Sequence, residues 1–218
     1  MWILENKIQI ITFTNMITYI ILAITVFISI SAMDNHSLKN KLVFNAYLIH
    51  ERKEWYRFFS SGLIHADWMH LGFNMLSLYM FGKAVEDAYR ELFDVKGILF
   101  FILLYVGGLA VSSLYSYERN KGNIYYNALG ASGAVSSVIY AFILLAPTAR
   151  LGFMFIPVPI PAYLFGFIYL GIEYYMSKRG NTGIAHDAHF WGAIYGVVLT
   201  IILKPSLATR FIDQIIGR

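Results

Sequence analysis

An all-α, polytopic membrane protein with six helical spans is the fold class this sequence predicts. Hydrophobic residues make up 58% of the chain against 14% charged, and the mean hydropathy is +0.57. That balance is too apolar for an ordinary soluble domain. The apolar residues also fall into long runs, as membrane-crossing helices require. These runs use most of the 218 residues, and a separate soluble domain needs at least about 50. Residues 1–218 therefore read as one membrane-embedded domain. The net charge of +4 is scattered over loops with no basic run suited to nucleic acid, so the expected surroundings are the lipid bilayer and partners within it. The absence of cysteine excludes disulfides, thiol nucleophiles and Cys-ligated metal centres, and no cofactor is expected.

The first span is Ile8–Met33, long enough to cross about 30 Å of hydrocarbon and too long for the apolar region of a cleaved signal peptide. Asp34–Asp67 is a long first connection in which Lys39, Lys41, Arg52, Lys53 and Arg57 mix with Trp55, Tyr56, Phe58 and Phe59. That mixture suits the headgroup region. Span two runs from about Trp68 to Gly82 and continues as a helix to Arg90, with His70 and Asn74 in its early turns. Span three is about Val95–Ser116, followed by a polar loop, Tyr117–Asn127.

Span four runs from Ser132 to about Ala146 and is stopped by Pro147. Such a helix covers only about 22 Å, short of the hydrocarbon thickness, so one end must lie inside the membrane plane. Backbone at that depth is tolerated where protein buries it or where it lines a wet cavity. Pro157, Pro159 and Pro161 make an extended connection. Span five is about Ala162–Met176, Ser177–Ala185 is a polar loop expected to be mobile, and span six runs from His186 to Leu203, ended by Lys204-Pro205. The tail, 204–218, is amphipathic and suited to a membrane surface.

Alternating spans run in opposite directions, so spans two, four and six enter from the same membrane face. His70 and Asn74 open span two, Ser132 opens span four, and His189 lies in the first turn of span six, which sets all four at one level. Polar and ionisable groups inside a bilayer are costly and mark function by default. A serine hydroxyl becomes a useful nucleophile when an adjacent base takes its proton, and neutral histidine suits that task near pH 7. Ser132 with His189 forms such a pair. Free amide groups at the start of span four, together with His70 and Asn74 on one helix face, can stabilise an oxyanion. Gly192 and Gly196 form a Gly-x-x-x-Gly face for close helix packing, which brings spans four and six together. Asp187, two residues from His189, points about 200° away from it on a helix and is not its orienting group.

Three motifs in this order, His65-x-x-x-x-His70-x-x-x-Asn74, Gly130-Ala131-Ser132-Gly133 and His189-x-x-Gly192-x-x-x-Gly196, resemble those of the rhomboid intramembrane serine proteases over about residues 50–200. The resemblance implies a six-helix rhomboid core, cleavage of transmembrane protein substrates near a membrane surface, and a catalytic Ser132–His189 dyad. It also implies an oxyanion site of His70, Asn74 and the Ser132 amide, and structural support from Gly130, Gly133, Gly192 and Gly196. Span five with Ser177–Ala185 would gate substrate access, and His65 would have a structural role. Two departures stand out. The family's first-loop Trp-Arg pair is split here into Trp55 and Arg57, and Ser136 occupies the position four after the serine where many members carry an aromatic ring against the histidine. Support for the His189 ring then falls to Tyr125, Tyr126 or another aromatic.

Two rival readings stay open. A rhomboid-like binder of membrane clients without proteolysis predicts a broken dyad, whereas both residues are present. A membrane metal site or transporter would use His65, His70, His186, His189 and Asp187, but the chain has no His-Glu-x-x-His pattern. Lys and Arg divide almost evenly between the two sides, so the positive-inside rule does not orient the chain. An outward-facing site in the cell membrane is what the resemblance implies, and the sequence leaves substrate identity and oligomeric state undefined.

Overall fold

The computed structural model describes residues 16–153, 156–179 and 185–218. Helix α1 (Ile17–Met33) is the described part of the first expected span, whose residues 8–15 lie outside the described residues. Its exposed N–H groups, which have no intrahelical partner, are met by the buried Glu86 carboxylate. That carboxylate accepts from Ile17 N at 3.1 Å, Thr18 N at 3.0 Å and the Thr18 hydroxyl at 2.6 Å.

The first connection carries more structure than a loop reading gives it. It holds α2 (His36–Leu42), β1 (Phe44–Asn45), α3 (Ala46–Arg52), α4 (Arg57–Ser60) and a 3₁₀ turn, Ser61–Leu63. The Asn35 and Asn45 side chains cap α2 and α3 by accepting from Leu38 N and Leu48 N. Arg57, only 5% exposed, donates to Asn40 O at 2.9 Å, Val43 O at 2.7 Å and the Glu54 carboxylate at 2.5 Å. Arg57 thus anchors the connection although it is not adjacent to Trp55.

Helix α5 (Trp68–Ser77) leads through a π turn, Leu78–Gly82, into α6 (Lys83–Phe93), so the continuous helix expected from Trp68 to Arg90 is present with one bulge. Helix α7 (Lys96–Asn120) runs past the expected end at Ser116. The polar residues Tyr117–Asn120 stay helical, with the Asn120 amide donating to Ser116 O. Strand β2 (Asn127–Ala128) pairs antiparallel with β1, Phe44 opposite Ala128 and Asn45 opposite Asn127. That pairing ties the first connection to the segment leading into α8 (Ser132–Leu145).

Beyond Pro147, β3 (Arg150–Phe153) and β4 (Ile156–Pro161) form an antiparallel pair, which accommodates the alternating prolines as extended backbone. Helix α9 (Ala162–Arg179) continues past Met176 and absorbs Ser177–Arg179, so the polar loop starts later than its composition implies; residues 180–184 lie outside the described residues. Helix α10 (His186–Leu203) has the expected limits, and the tail forms the amphipathic α11 (Ser206–Ile216). The fold is predominantly helical. Among the described residues two helices, Lys96–Asn120 and His186–Leu203, are long and apolar enough to cross a membrane, while Ile17–Met33 and Ser132–Leu145 are apolar but shorter. Outward-facing apolar side chains such as Phe27, 74% exposed, and Ile202, 68% exposed, would be a liability in water.

Helix α8 sits at the centre, packed against α7, α10 and the π turn. Its contact with α10 is backbone on backbone. A Cβ placed on Gly192 would lie 2.1 Å from Gly133 O, and one placed on Gly196 would lie 2.1 Å from Ser137 O. Neither neighbour is a side chain that can swing away. Gly196→Ala is therefore expected to force the helices apart and to cost about 1–3 kcal/mol, read as a lower melting temperature of the detergent-solubilised protein.

Candidate active site

The turn before Ser132 is fixed from two directions. Gly130 takes a φ of +112°, a region that L side chains avoid, and its N–H donates to Ser61 O at 2.9 Å. A Cβ there would stand 2.6 Å from His70 Cε1, so the His70 ring lies directly over the turn. Next in sequence, Ala131 N donates to His65 Nε2 at 3.3 Å. With Nε2 accepting, the proton of neutral His65 is on Nδ1, which donates to Ser29 Oγ at 2.9 Å. His65 thus pins α1 and the Ser132 turn together, the structural role expected of it.

Ser132 is the first residue of α8 and half-buried. The helix's first intrahelical bond runs from Val135 N to Ala131 O, so the amides of Ser132 and Gly133 lack a partner within the helix. Beside them is a cavity of about 30 Å³ whose lining includes Ser132, Gly130, Gly133, Ser112 and Ala188. That is room for one or two waters next to polar groups.

His70 and Asn74 lie one turn apart on α5. The backbone N–H of His70 is capped by Asp67 at 2.8 Å, and Ala66 N approaches its Nδ1 at 3.5 Å. Asn74, buried at 6% exposure, donates one amide hydrogen to His70 O at 2.9 Å and keeps a second for another acceptor. His189 is in the first turn of α10. Gly133, Gly192 and Gly196 form the α8–α10 contact described above. The structure therefore gathers the helix starts that carry Ser132 and His189, together with His70, around one point. Among the described residues the hydrogen-bond partners of the His189 ring are Glu173 and Tyr169, both at Nδ1, and Ser132 is not one of them.

Glu173, on α9, is the site residue that sequence reasoning missed. Its carboxylate is 4% exposed and faces two imidazoles: Oε1 lies 3.1 Å from His189 Nδ1 and Oε2 lies 2.5 Å from His186 Nδ1. The Tyr169 hydroxyl stands 3.5 Å from the same His189 nitrogen. An acidic residue within the apolar fifth span was the available signal. Of the aromatics expected to support His189, Tyr126 is bonded elsewhere and Tyr125 is turned outward, and the one at the ring is Tyr169. Tyr126 donates its hydroxyl to Ser116 Oγ at 3.1 Å, and Tyr125 is 84% exposed. Asp187, as its helical spacing implies, turns away from His189 and accepts from Ser116 Oγ.

Among the described residues, Glu173, His186 and His189 also form a set that by distance can hold a cation, with ligand atoms within 4.8 Å of one another. The wider set of His65, His70, His186, His189 and Asp187 does not converge: His65 is committed to Ser29 and Ala131, and Asp187 to Ser116.

A small-residue helix start carrying a serine is packed here against a helix start carrying a histidine within an apolar bundle. A family model for the Rhomboid domain matches residues 52–206, and the chain belongs to the rhomboid family. It is 27% identical over 164 residues to the putative rhomboid protease YdcA of Bacillus subtilis (strain 168), covering 72% of each protein. Similarity extends to two Arabidopsis thaliana proteins: the chloroplastic Rhomboid-like protein 11, 31% identical over 184 residues and 78% of this chain, and the mitochondrial RHOMBOID-like protein 12, 28% identical over 149 residues and 64% of this chain. The matches span 60% and 44% of those plant proteins.

The buried His65 yields a pH dependence. Desolvation, helped by His70 and opposed by Asp67, lowers its pKa from 6.5 to about 4. The folded state holds the neutral ring, so the unfolded chain takes up the proton first as pH falls. Stability is then unaffected above pH 6.5, declines through the window from 6.5 to about 4, and levels off below it, a loss of about 3 kcal/mol from this group. Melting temperatures measured from pH 7 to pH 4 should fall more steeply for the parent than for His65→Asn.

Proposed function

We propose that this protein is an intramembrane serine endopeptidase with a six-span rhomboid core that cleaves transmembrane proteins near the membrane surface. The observation that carries the reading is the Gly192–Gly133 contact, which brings the start of the helix bearing His189 onto the start of the helix bearing Ser132. In this mechanism His189 Nε2 takes the Ser132 proton as Oγ attacks the scissile carbonyl carbon. The oxyanion is stabilised by the Ser132 amide, His70 and the second amide hydrogen of Asn74. His189 then protonates the leaving amine, which departs as the C–N bond breaks and leaves Ser132 acylated. A water, for which the cavity beside Ser132 has room, gives its proton to His189 and attacks the acyl carbon, which releases the new carboxyl terminus and restores the serine. Gly130 and Gly133 serve the turn and the close packing around the nucleophile. A substrate helix has to unwind to present its amide, so residues of low helix propensity near the cut are expected.

The family's membrane proteins and the even distribution of positive charge leave this chain's orientation to experiment; we place the active site on the outer face of the cell membrane, to be checked with reporter fusions at each loop. The enzymatic reading is tested by incubating the parent and Ser132→Ala with a single-span substrate in liposomes. Cleavage and fluorophosphonate labelling are expected with the parent and absent with the variant; equal cleavage by both overturns the mechanism. Asn74→Ala should lower kcat by about 10²–10³-fold while labelling persists at a reduced rate.

A further inference from the structure

Building on that proteolytic reading, we infer that Glu173 is a positioning residue for His189, so that the working constellation is Ser132–His189–Glu173 with its third member supplied by α9. A base that must receive a proton on one ring nitrogen needs the other nitrogen protonated and held. The only carboxylate hydrogen-bonded to His189 among the described residues is Glu173, 3.1 Å from Nδ1. An ionised carboxylate only accepts, so Nδ1 must carry the proton, which leaves Nε2 as the basic nitrogen. The same carboxylate stabilises the imidazolium that forms once Nε2 takes the serine proton.

His186 completes the device. Its Nδ1 lies 2.5 Å from the second carboxylate oxygen, which fixes the Glu173 plane and makes the buried charge tolerable. The two histidines, three residues apart on α10, grip one carboxylate from α9 with one oxygen each. This answers the absence of an aromatic ring at Ser136: the His189 ring is held by a hydrogen bond along its edge instead of by stacking on its face.

The location of Glu173 couples the device to α9. That helix is peripheral, with only Ala162, Gly166 and Glu173 buried, and Phe167 is 65% exposed. Besides Glu173, a polar tie from α9 into the bundle is Tyr140 of α8, which donates to Gly166 O at 2.6 Å. When α9 is seated, His189 is held in its productive tautomer; when α9 swings out, that hold is lost.

The experiment compares the parent, Glu173→Gln, Glu173→Asp and Tyr140→Phe with a single-span substrate in liposomes, reporting kcat and KM separately, alongside ¹⁵N NMR of the histidine rings in the parent. Expected are an Nδ1-protonated His189 in the parent, a fall in kcat of about 10²–10⁴-fold for Glu173→Gln with KM little changed, and partial recovery for Glu173→Asp. Tyr140→Phe, which removes one hydrogen bond between α8 and α9 while α9 stays seated through Glu173 and its two histidines, should leave kcat within a few-fold of the parent. The inference is overturned if His189 Nδ1 is unprotonated, if Glu173→Gln turns over like the parent, or if Tyr140→Phe loses as much kcat as Glu173→Gln, which would make Glu173 an anchor only. It is equally overturned if a chelator abolishes parental activity and zinc restores it, since the three side chains would then be metal ligands. Failure of the proteolytic reading itself shows differently: Ser132→Ala would cut as well as the parent, and the ring protonation would still report on Glu173.

Discussion

Where Gly192 rests on Gly133 O and Gly196 on Ser137 O, two helices meet with no side chain between them, and the placement of the candidate site follows from that contact. In lipid the hydrophobic effect does not draw helices together, so association depends on close packing and interhelical hydrogen bonds. Both are present around α8. Ser137 Oγ lies 3.2 Å from Leu104 O of α7 and 2.7 Å from Ala134 O, and a Cβ on Gly133 would collide with Ser112 Oγ of α7. Helices α7, α8 and α10 therefore form an inner unit whose spacing is set by small residues and hydroxyls. The first turns of α8 and α10 inherit that spacing, and so do Ser132 and His189.

Two carboxylates inside this apolar bundle, Glu86 and Glu173, are each met by several donors. Glu86 receives two backbone amides and a hydroxyl at the start of α1, where the helix dipole also favours a negative charge. Glu173 receives two imidazoles. Removing one partner of such a group leaves a buried charge uncompensated, which is strongly destabilising, so each carboxylate constrains the elements it joins. Glu86 joins α6 to α1. Glu173 joins α9 to α10 and, through His189, reaches the candidate site.

The limits of α8 and α10 were readable because small residues, Pro147 and Lys204-Pro205 mark them chemically, and the expected alternation of span direction then singled out His70, Asn74, Ser132 and His189 as one group. The structure of the first connection was hidden for the opposite reason. Its short helices depend on Asn35 and Asn45 caps and on Arg57 reaching Asn40 and Val43, contacts that composition does not announce. Tyr117–Asn120 and Ser177–Arg179 look like loop by polarity but continue the helices before them, because a helix that leaves the apolar layer loses no hydrogen bonds in water. Glu173 was missed because its partners lie beyond the polar loop, 13 and 16 residues away. No local periodicity links them, and the family pattern centred attention on Ser136.

The first turn of α10 is held on two sides by different means. Asp187 accepts from Ser116 of α7, and Ser116 in turn accepts from Tyr126 just ahead of β2, so this arm belongs to the inner unit. His186 and His189 reach the other way, to Glu173 on the peripheral α9. The two arms separate the position of the helix from the orientation of the ring. Displacing α9 removes the partner of His189 Nδ1 but leaves Asp187, Gly192 and Gly196 in place, so α10 keeps its seat against α8 while the imidazole is freed to turn. Under the proposed proteolytic reading, a substrate that enters beside α9 would meet an intact scaffold with an unarmed base, and the return of Glu173 to His189 would coincide with closure around the bound segment. Coupling of this kind follows from carrying the carboxylate on the outer helix; an aromatic ring on α8 would hold the histidine regardless of where α9 lay.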